Sequence, residues 1–75
     1  MNLADITPLI LTYNEEENID RTLSKLTWAS QILIIDSYST DRTLEITQSY
    51  SKVRVLQRQF DSFADQCNFG LSQIK

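Results

Sequence analysis

Histidine is missing from this chain of 75 residues, and cysteine occurs once, as Cys67. A lone cysteine cannot form an internal disulfide, and without histidine the chain has too few ligands for a Cys/His zinc site. Positive charge is also scarce, because 7 Lys and Arg stand against 10 Asp and Glu and give a formal net charge of -3. No basic patch is available for a phosphate backbone, so nucleic acid is not an expected partner.

Long apolar runs are missing as well, and the longest fall far below the roughly 18 residues that a membrane-spanning helix needs. The first residues, MNLADITPLILTYNEEE, lack the basic region and cleavage site of a secretory signal. We therefore expect a cytoplasmic protein, with contact at a membrane surface left open. A domain of this size buries only about 60% of its unfolded surface, so the chain is either a minimal module or a piece of something larger.

The sequence does contain a regular alternation of two hydrophobic periods. A nearly continuous apolar run predicts a strand covered on both faces at residues 6–12, and further strands are predicted at residues 31–36 and 53–58. Between and after them, side chains recur at the spacing of amphipathic helices. The predicted helix stripes are Ile19, Leu23 and Leu26, then Thr43, Ile46, Thr47 and Tyr50, and finally Phe63, Cys67, Gly70 or Leu71, and Ile74. Asn14, with Glu17 three residues later, is typical of a capping box before the first helix.

This order of elements predicts an α/β fold, a three-stranded parallel half-sheet of βαβαβα order. In such sheets ligands bind outside the carboxyl ends of the strands. The first strand runs into TYNEE and the second into DSYSTD, so we expect both segments to line the same rim. A simpler interpretation, in which Ser39, Thr40 and Asp41 only cap the second helix, stays open. Asp36 fits that interpretation less well, because it precedes the cap by three residues.

Three segments resemble one known family. The segment PLILTYNEEENI resembles the first-strand motif of family-2, GT-A-type glycosyltransferases. ILIIDSYSTDRTLEI resembles their second-strand motif, and FDSFADQCNFGL resembles the segment that leads towards their metal site. The resemblance covers residues 6–74. It implies that residues 1–75 are the amino-terminal, nucleotide-sugar-binding half of a GT-A (Rossmann-like) domain, incomplete at the carboxyl end.

Within the family, the D-S-x-S-T-D turn and the F-D-x-F-A-x-Q-x-N segment are most similar to lipopolysaccharide-core and lipooligosaccharide β-1,4-glucosyltransferases. The resemblance implies transfer of a sugar from a nucleotide sugar, commonly a uridine diphosphate (UDP) sugar, to a hydroxyl of a glycan or lipid-linked glycan. It implies a role in the synthesis of cell-envelope polysaccharide or lipopolysaccharide. The expected location is the cytoplasm or the cytoplasmic face of the inner membrane, with peripheral membrane association.

The resemblance also implies a nucleotide-sugar site. It puts the ring of Tyr13 against the nucleobase, with Leu11 and Thr12 as backbone neighbours. It puts Glu15 near the ribose and makes Asp36 an acceptor for the nucleoside. Stacking is worth about 1 to 3 kcal/mol per base, and a carboxylate can accept both hydrogens of a ribose diol. The alternatives are a Tyr13 packed at the strand end and a Glu15 that serves only the helix dipole.

The chain departs from the family pattern at two positions. Ser37 stands where a second acid commonly follows the first, so a hydroxyl would take the place of a carboxylate in base recognition. Cys67 stands where relatives usually carry Arg or Lys, and a thiol does not hold a diphosphate as a cation does; we expect it in the core. Gln66 and Asn68 are predicted to hydrogen-bond to the donor, with a polar helix face as the alternative.

The family's metal-binding acid motif, D-x-D or a variant, does not occur in context in residues 1–75. The resemblance places it beyond Lys75, together with the catalytic base and the acceptor site. A divalent metal, Mg²⁺ or Mn²⁺, is therefore expected only in the full-length enzyme, where it would neutralise the departing nucleoside diphosphate. We predict no catalytic residue and no bound metal in the fragment, and no activity for it alone.

Two other hypotheses stay open. A non-catalytic truncated module would bind nucleotide weakly or pack on a partner, and its open sheet edge would favour self-association or poor solubility. In a phosphate-handling α/β domain, Asp36 would be a strand-end nucleophile. Such folds need further acids for magnesium, and Tyr38 stands where some of them carry an acid or apolar residue.

Overall fold

Three strands alternate with three helices in the computed structural model, which describes residues 5–74. The strands are β1 (Leu9–Thr12), β2 (Ile32–Asp36) and β3 (Val53–Gln57), and the helices are α1 (Ile19–Ser24), α2 (Thr43–Gln48) and α3 (Phe63–Gln73). The strands form one parallel sheet in the order β1-β2-β3. The predicted α/β half-sheet of βαβαβα order is confirmed. Residues 1–4 and residue 75 lie outside the described part of the chain. Residues 1–4 belong to the segment for which no secretory signal was predicted.

The central strand, β2, is buried along its whole length because helices cover both faces of the sheet. Successive side chains of a strand point to opposite faces. Ile32 and Ile34 belong to the main core with α1, whereas Leu33 and Ile35 are buried on the face covered by α3. This two-sided burial explains why β2, up to Asp36, is a continuous run of apolar residues rather than an alternating one.

The predicted stripes of α1 and α2 are confirmed. Ile19 and Leu23 are buried in α1, and Thr43 and Thr47 are buried in α2. Ile46 packs against the same core. Leu26 and Tyr50 do so as well, but they lie beyond the last residues of α1 and α2, so both helices end earlier than the predicted stripes. The longest helix, α3, has 11 residues, and none of the described helices has the length and apolarity of a membrane span.

The predicted orientation of α3 is wrong in part. Phe63 and Leu71, expected to face the core, are 73% and 60% exposed. The buried residues of this helix are Gln66 and Gly70. A Cβ at position 70 would lie 2.6 Å from Cδ1 of Leu9, so glycine allows the helix backbone to approach β1 closely. The close approach at Gly70 turns Phe63 and Leu71 towards solvent.

The predicted capping box at Asn14 is also wrong. Helix α1 begins at Ile19, and its N-cap residue, Asn18, makes no side-chain capping hydrogen bond. Asn14 instead has a left-handed backbone with φ of 51°, and its side-chain oxygen accepts a hydrogen bond from the backbone N–H of Thr40 at 2.8 Å. The asparagine therefore joins two loops rather than starting a helix.

Candidate functional site

The carboxyl ends of the three strands form one rim of the sheet, where Thr12 pairs with Asp36 and Asp36 pairs with Gln57 in the strand register. An open cleft of about 540 Å³ lies along this rim. Its lining consists of Leu11, Thr12, Tyr13, Glu15, Ser37, Gln59, Phe60 and Phe63. The fold therefore brings five of the eight predicted site residues, the first five of that lining, to one cleft.

Asp36 lies beneath the rim with its side chain fully buried. Its carboxylate accepts hydrogen bonds from Thr12 Oγ1 at 2.6 Å, from the backbone N–H and Oγ of Ser39 at 2.8 and 2.6 Å, and from Gln57 Nε2 at 3.4 Å. One carboxylate thus joins the ends of all three strands. A buried group with both oxygens engaged is poorly placed to attack a phosphodonor, which removes support from the nucleophile hypothesis.

The pKa of Asp36 is set by two opposing effects. Burial raises the pKa because it penalises the charged form, but the hydrogen bonds donated by Ser39, Thr12 and Gln57 stabilise the carboxylate. The hydrogen bonds prevail, and the pKa lies below its ordinary value of 3.8. Asp36 is therefore ionised at neutral pH.

The loops after β1 and β2 are fastened to each other by side chains. The backbone N–H of Asn14 donates to Ser39 Oγ at 2.9 Å, while the Asn14 side chain accepts from Thr40. The backbone N–H of Glu15 donates to Thr43 Oγ1 at 2.8 Å. These bonds join residues 25 to 28 positions apart and hold both loops in one arrangement.

Of the three residues proposed to cap the second helix, only Asp41 bonds to that helix, and it lies one residue before the N-cap, Arg42, which makes no side-chain capping hydrogen bond. Asp41 accepts from the backbone N–H of Thr43 at 2.9 Å, in the first turn of α2, and also from the backbone N–H of Glu16 at 3.2 Å. Ser39 and Thr40 instead make their hydrogen bonds with the β1 loop and with Asp36. The hydroxyl-rich segment is chiefly a junction between loops.

Tyr13 and Glu15 both stand at the mouth of the cleft. The ring of Tyr13 is 57% exposed, so the alternative in which it packs at the strand end is not supported. Glu15 is exposed and lines the cleft, and its backbone N–H is tied to Thr43, the first residue of α2. An open aromatic face beside a free carboxylate is suited to a flat ring joined to a diol.

Gln66 is fully buried, so the polar helix face proposed as its alternative role is wrong. Its Nε2 donates to Ser37 Oγ at 3.0 Å and to the backbone carbonyl of Arg58 at 3.2 Å, and its Oε1 accepts from Arg58 Nη1 at 2.8 Å. Gln66 therefore supports the cleft through Ser37 rather than from its lining.

Arg58 follows β3 and is held on three sides. Its guanidinium pairs with Asp61 at 3.0 Å, bonds to Gln66, and lies 5.5 Å from the ring centre of Phe69. The hydrogen bond and charge of Asp61 raise the pKa of Arg58, and in return Arg58 lowers the pKa of Asp61. This is the positive group closest to Ser37 along the chain of hydrogen bonds.

Asn68 and Cys67 are not among the residues that line the cleft. Asn68 is exposed on α3, and Cys67 is half-buried rather than fully in the core. The helix orientation set by Gly70 accounts for both positions. The predicted contact of Asn68 with a donor stays a prediction.

Three cleft residues, Gln59, Phe60 and Phe63, were missed by the sequence reasoning. The two phenylalanine rings meet edge to face, with centres 5.0 Å apart, and are 45% and 73% exposed. Ser62 between them caps α3 by accepting from the backbone N–H of Asp65. The available signal was their position directly after β3, because the rule that placed TYNEE on the rim applies equally to the third strand.

Tyr38 stands out in the loop after β2 because its backbone is left-handed, with φ of 57°. This conformation costs a residue with a Cβ roughly 1 kcal/mol or more. Its side chain is 55% exposed, so burial offers little compensation. Ser39, the residue after Tyr38, donates two hydrogen bonds to Asp36, and these hold the turn in this shape.

Residues 5–74 contain no group of three or more Asp, Glu, Cys or His side chains placed to hold a metal ion. The acids of the rim serve other groups, since Asp36 and Asp41 accept hydrogen bonds from hydroxyls and backbone amides. The divalent metal expected for a full-length enzyme stays a prediction.

Comparison with known proteins identifies the family. A search of curated proteins found no match to the chain. The family model for Glycosyl transferase family 2 matches residues 8–75, from the start of the first strand through the last helix. These are the residues that build the parallel half-sheet and its rim. The chain therefore belongs to glycosyl transferase family 2.

Proposed function

We propose that this chain is the nucleotide-sugar-binding part of a glycosyltransferase, the amino-terminal portion of a longer domain. The observation that carries the proposal is the cleft at the carboxyl ends of the strands, which both Tyr13 and Glu15 line. The proposal also uses the membership of the chain in glycosyl transferase family 2. The donor in this proposal is a UDP sugar. The acceptor is a hydroxyl of a glycan or lipid-linked glycan.

The residues that line the cleft suit a nucleoside. The exposed face of Tyr13, with Leu11 beside it, offers stacking area to the base. Glu15 at the mouth can accept the two hydrogens of a ribose diol. Stacking is tolerant of base identity, so any selectivity comes from polar groups deeper in the cleft.

Asp36 contributes to this site by holding its walls. Its carboxylate orients Thr12 and Ser39, and through Ser39 it fixes the loop that carries Tyr13. A direct bond from Asp36 to the nucleoside, as first predicted, requires one of these internal donors to give way. Donor contacts of Gln66 and Asn68 belong to the same proposal, with Gln66 acting through Ser37.

The finer assignment concerns the branch and the pathway. The D-S-x-S-T-D turn and the F-D-x-F-A-x-Q-x-N segment support a lipopolysaccharide-core or lipooligosaccharide β-1,4-glucosyltransferase, acting at the cytoplasmic face of the inner membrane. Within this proposal, a Mg²⁺ or Mn²⁺ site, the catalytic base and the acceptor site belong to the longer protein. The 75 residues alone are expected to bind donor without transferring sugar.

The test is a titration of the 75-residue chain with UDP, followed by NMR chemical shifts of the backbone amides. We expect saturable shifts at residues 11–15 and 37. Tyr13→Ala should weaken binding by about 1 to 3 kcal/mol, or roughly 5- to 150-fold, because the stacking face is lost. The matched control, Tyr13→Phe, keeps the ring and should bind like the parent. A parent chain that shows no shifts at millimolar UDP would contradict the proposal and favour a partner-packing module.

A further inference from the structure

Ser37 ends a short chain of polar groups whose donors and acceptors can be assigned. Arg58 Nη1 donates to Gln66 Oε1 at 2.8 Å, and Gln66 Nε2 lies 3.0 Å from Ser37 Oγ. A guanidinium has only donors, so the buried amide must turn its oxygen to Arg58 and its nitrogen to Ser37. The second contact of that nitrogen, 3.2 Å from the Arg58 carbonyl, requires the same orientation.

Ser37 Oγ therefore accepts a hydrogen bond, and its own hydrogen must point elsewhere. The hydrogen bonds formed within residues 5–74 include none donated by this hydroxyl, and the residue lines the cleft. We propose that Ser37 donates a hydrogen bond into the cleft, and that Gln66 and Arg58 are positioning residues that fix its direction. The positive charge at the far end of the chain strengthens Ser37 as a donor, because hydrogen bonds in series polarise one another.

The inference rests on the proposed function and names the group that Ser37 contacts, a carbonyl oxygen of the nucleobase. Phosphate is disfavoured at this position, because the ionised Asp36 is the adjacent residue and Glu15 lines the same cleft. Tyr13 and Phe60 provide aromatic surface for a flat ring instead. Ser37, as a donor, would therefore recognise a hydrogen-bond acceptor of the base.

The first experiment compares UDP with ribose 5-phosphate, a probe without a base, on the 75-residue chain. Ser37→Ala should weaken UDP binding roughly 3- to 10-fold, the loss expected for one neutral hydrogen bond. Its binding of ribose 5-phosphate should be unchanged. Ser37→Thr keeps the hydroxyl and should bind UDP more tightly than Ser37→Ala does.

The second experiment reverses the polar chain with Gln66→Glu. A carboxylate at this position has no hydrogen to give, so the Ser37 hydroxyl would turn to donate to it, while Arg58 would balance the new charge. We expect Gln66→Glu to weaken UDP binding as much as Ser37→Ala, and the double variant to bind no worse than either one. This lack of additivity distinguishes positioning from a general structural effect.

The outcomes separate the two proposals. If the parent chain binds no UDP at millimolar concentration, the proposed function and this inference fail together. If the parent binds UDP and Ser37→Ala binds it equally well, the inference is overturned and the proposed function stands. An equal loss for UDP and ribose 5-phosphate would also overturn it, because the contact would not be to the base. Should Gln66→Glu lose its folded amide spectrum, the comparison of Ser37→Ala with Ser37→Thr decides.

Discussion

Each end of the sheet has a cleft, but the polar side chains at the two ends differ in whether they are used in internal hydrogen bonds. The cleft at the amino ends of the strands is the larger, at about 730 Å³, and is bordered by Lys52 and Arg54. Both cations are committed to backbone carbonyls: Lys52 Nζ donates to Leu26 and Ala29, and Arg54 Nη1 donates to Gln73. The smaller cleft at the carboxyl ends keeps exposed groups at its mouth.

This difference teaches that the larger cleft is not the one with exposed side chains available to a ligand. At the amino ends, Lys52 and Arg54 bind backbone carbonyls of other segments of the chain. At the carboxyl ends, the buried Asp36 and the hydroxyls around it hold the loops, which leaves Tyr13 and Glu15 exposed at the cleft. We therefore expect changes beneath the carboxyl rim to affect stability and binding together, and changes at the amino end to affect stability alone.

The largest effect should come from Asp36→Asn. The amide places a donor among groups that already donate, so the hydrogen bonds of Thr12 and Ser39 cannot all be kept. We expect a loss of about 2 to 3 kcal/mol in the free energy of unfolding, or roughly 10 to 20 °C in Tm for a domain of this size. Thermal unfolding followed by circular dichroism measures it. Glu17 is an exposed acid in the loop between β1 and α1. Glu17→Gln is therefore the control and should leave Tm unchanged.

Acid should reproduce part of that loss in the parent chain. The pKa of Asp36 in the folded state lies below 3.8, so its contribution to stability is present above the unfolded value and is lost as pH falls through the folded pKa. We expect Tm to fall more between pH 5 and pH 3 in the parent than in Asp36→Asn. Parallel pH profiles for the two proteins would contradict the role assigned to the carboxylate.

Lys52→Met tests the other end of the sheet. The ammonium donates to two carbonyls near the end of α1, and its removal should lower the free energy of unfolding by about 1 to 2 kcal/mol. UDP binding should not change, because no residue of the carboxyl rim is touched. If the midpoint of urea unfolding is unchanged while the affinity for UDP falls, the structural role assigned to Lys52 is wrong.

The smallest effect, and the only gain, is expected from Tyr38→Gly. Glycine adopts the left-handed backbone of this turn without the Cβ penalty, which should raise the free energy of unfolding by about 0.5 to 1 kcal/mol. Tyr38→Ala keeps the penalty and serves as the matched control. The midpoint of urea unfolding should rise for glycine only.

Much of the fold could be predicted from the sequence because burial leaves a periodic pattern. The three strands and the stripes of α1 and α2 each left apolar or small side chains at regular spacing. Helix α3 was placed correctly along the chain but its orientation was mispredicted in part. The buried side of α3 carries Gly70 beside Leu9 and the hydrogen-bonded Gln66, and a pattern of apolar residues reports neither a glycine nor a polar side chain in the interior.

That several candidate site residues share one cleft could be predicted, but the hydrogen bonds around them could not. The strand-end rule brought Tyr13, Glu15 and Ser37 to one cleft. It could not show that Asp36 would be saturated by internal donors, because those donors, among them Thr12 and Gln57, come from different strands. Asn14 was misassigned for a related reason, since a cap and a bridge between loops use the same side-chain oxygen.

The bonds between the β1 loop and the β2 turn have a consequence for protein engineering. Asn14 and Thr40 are far apart in the chain, but neither keeps its partner if the other is replaced. A loop transplanted from another protein at residues 13–16, without an asparagine at position 14, would leave the backbone N–H of Thr40 without its acceptor. The interchangeable unit is therefore the pair of loops, and recombination should exchange residues 13–16 and 37–41 together.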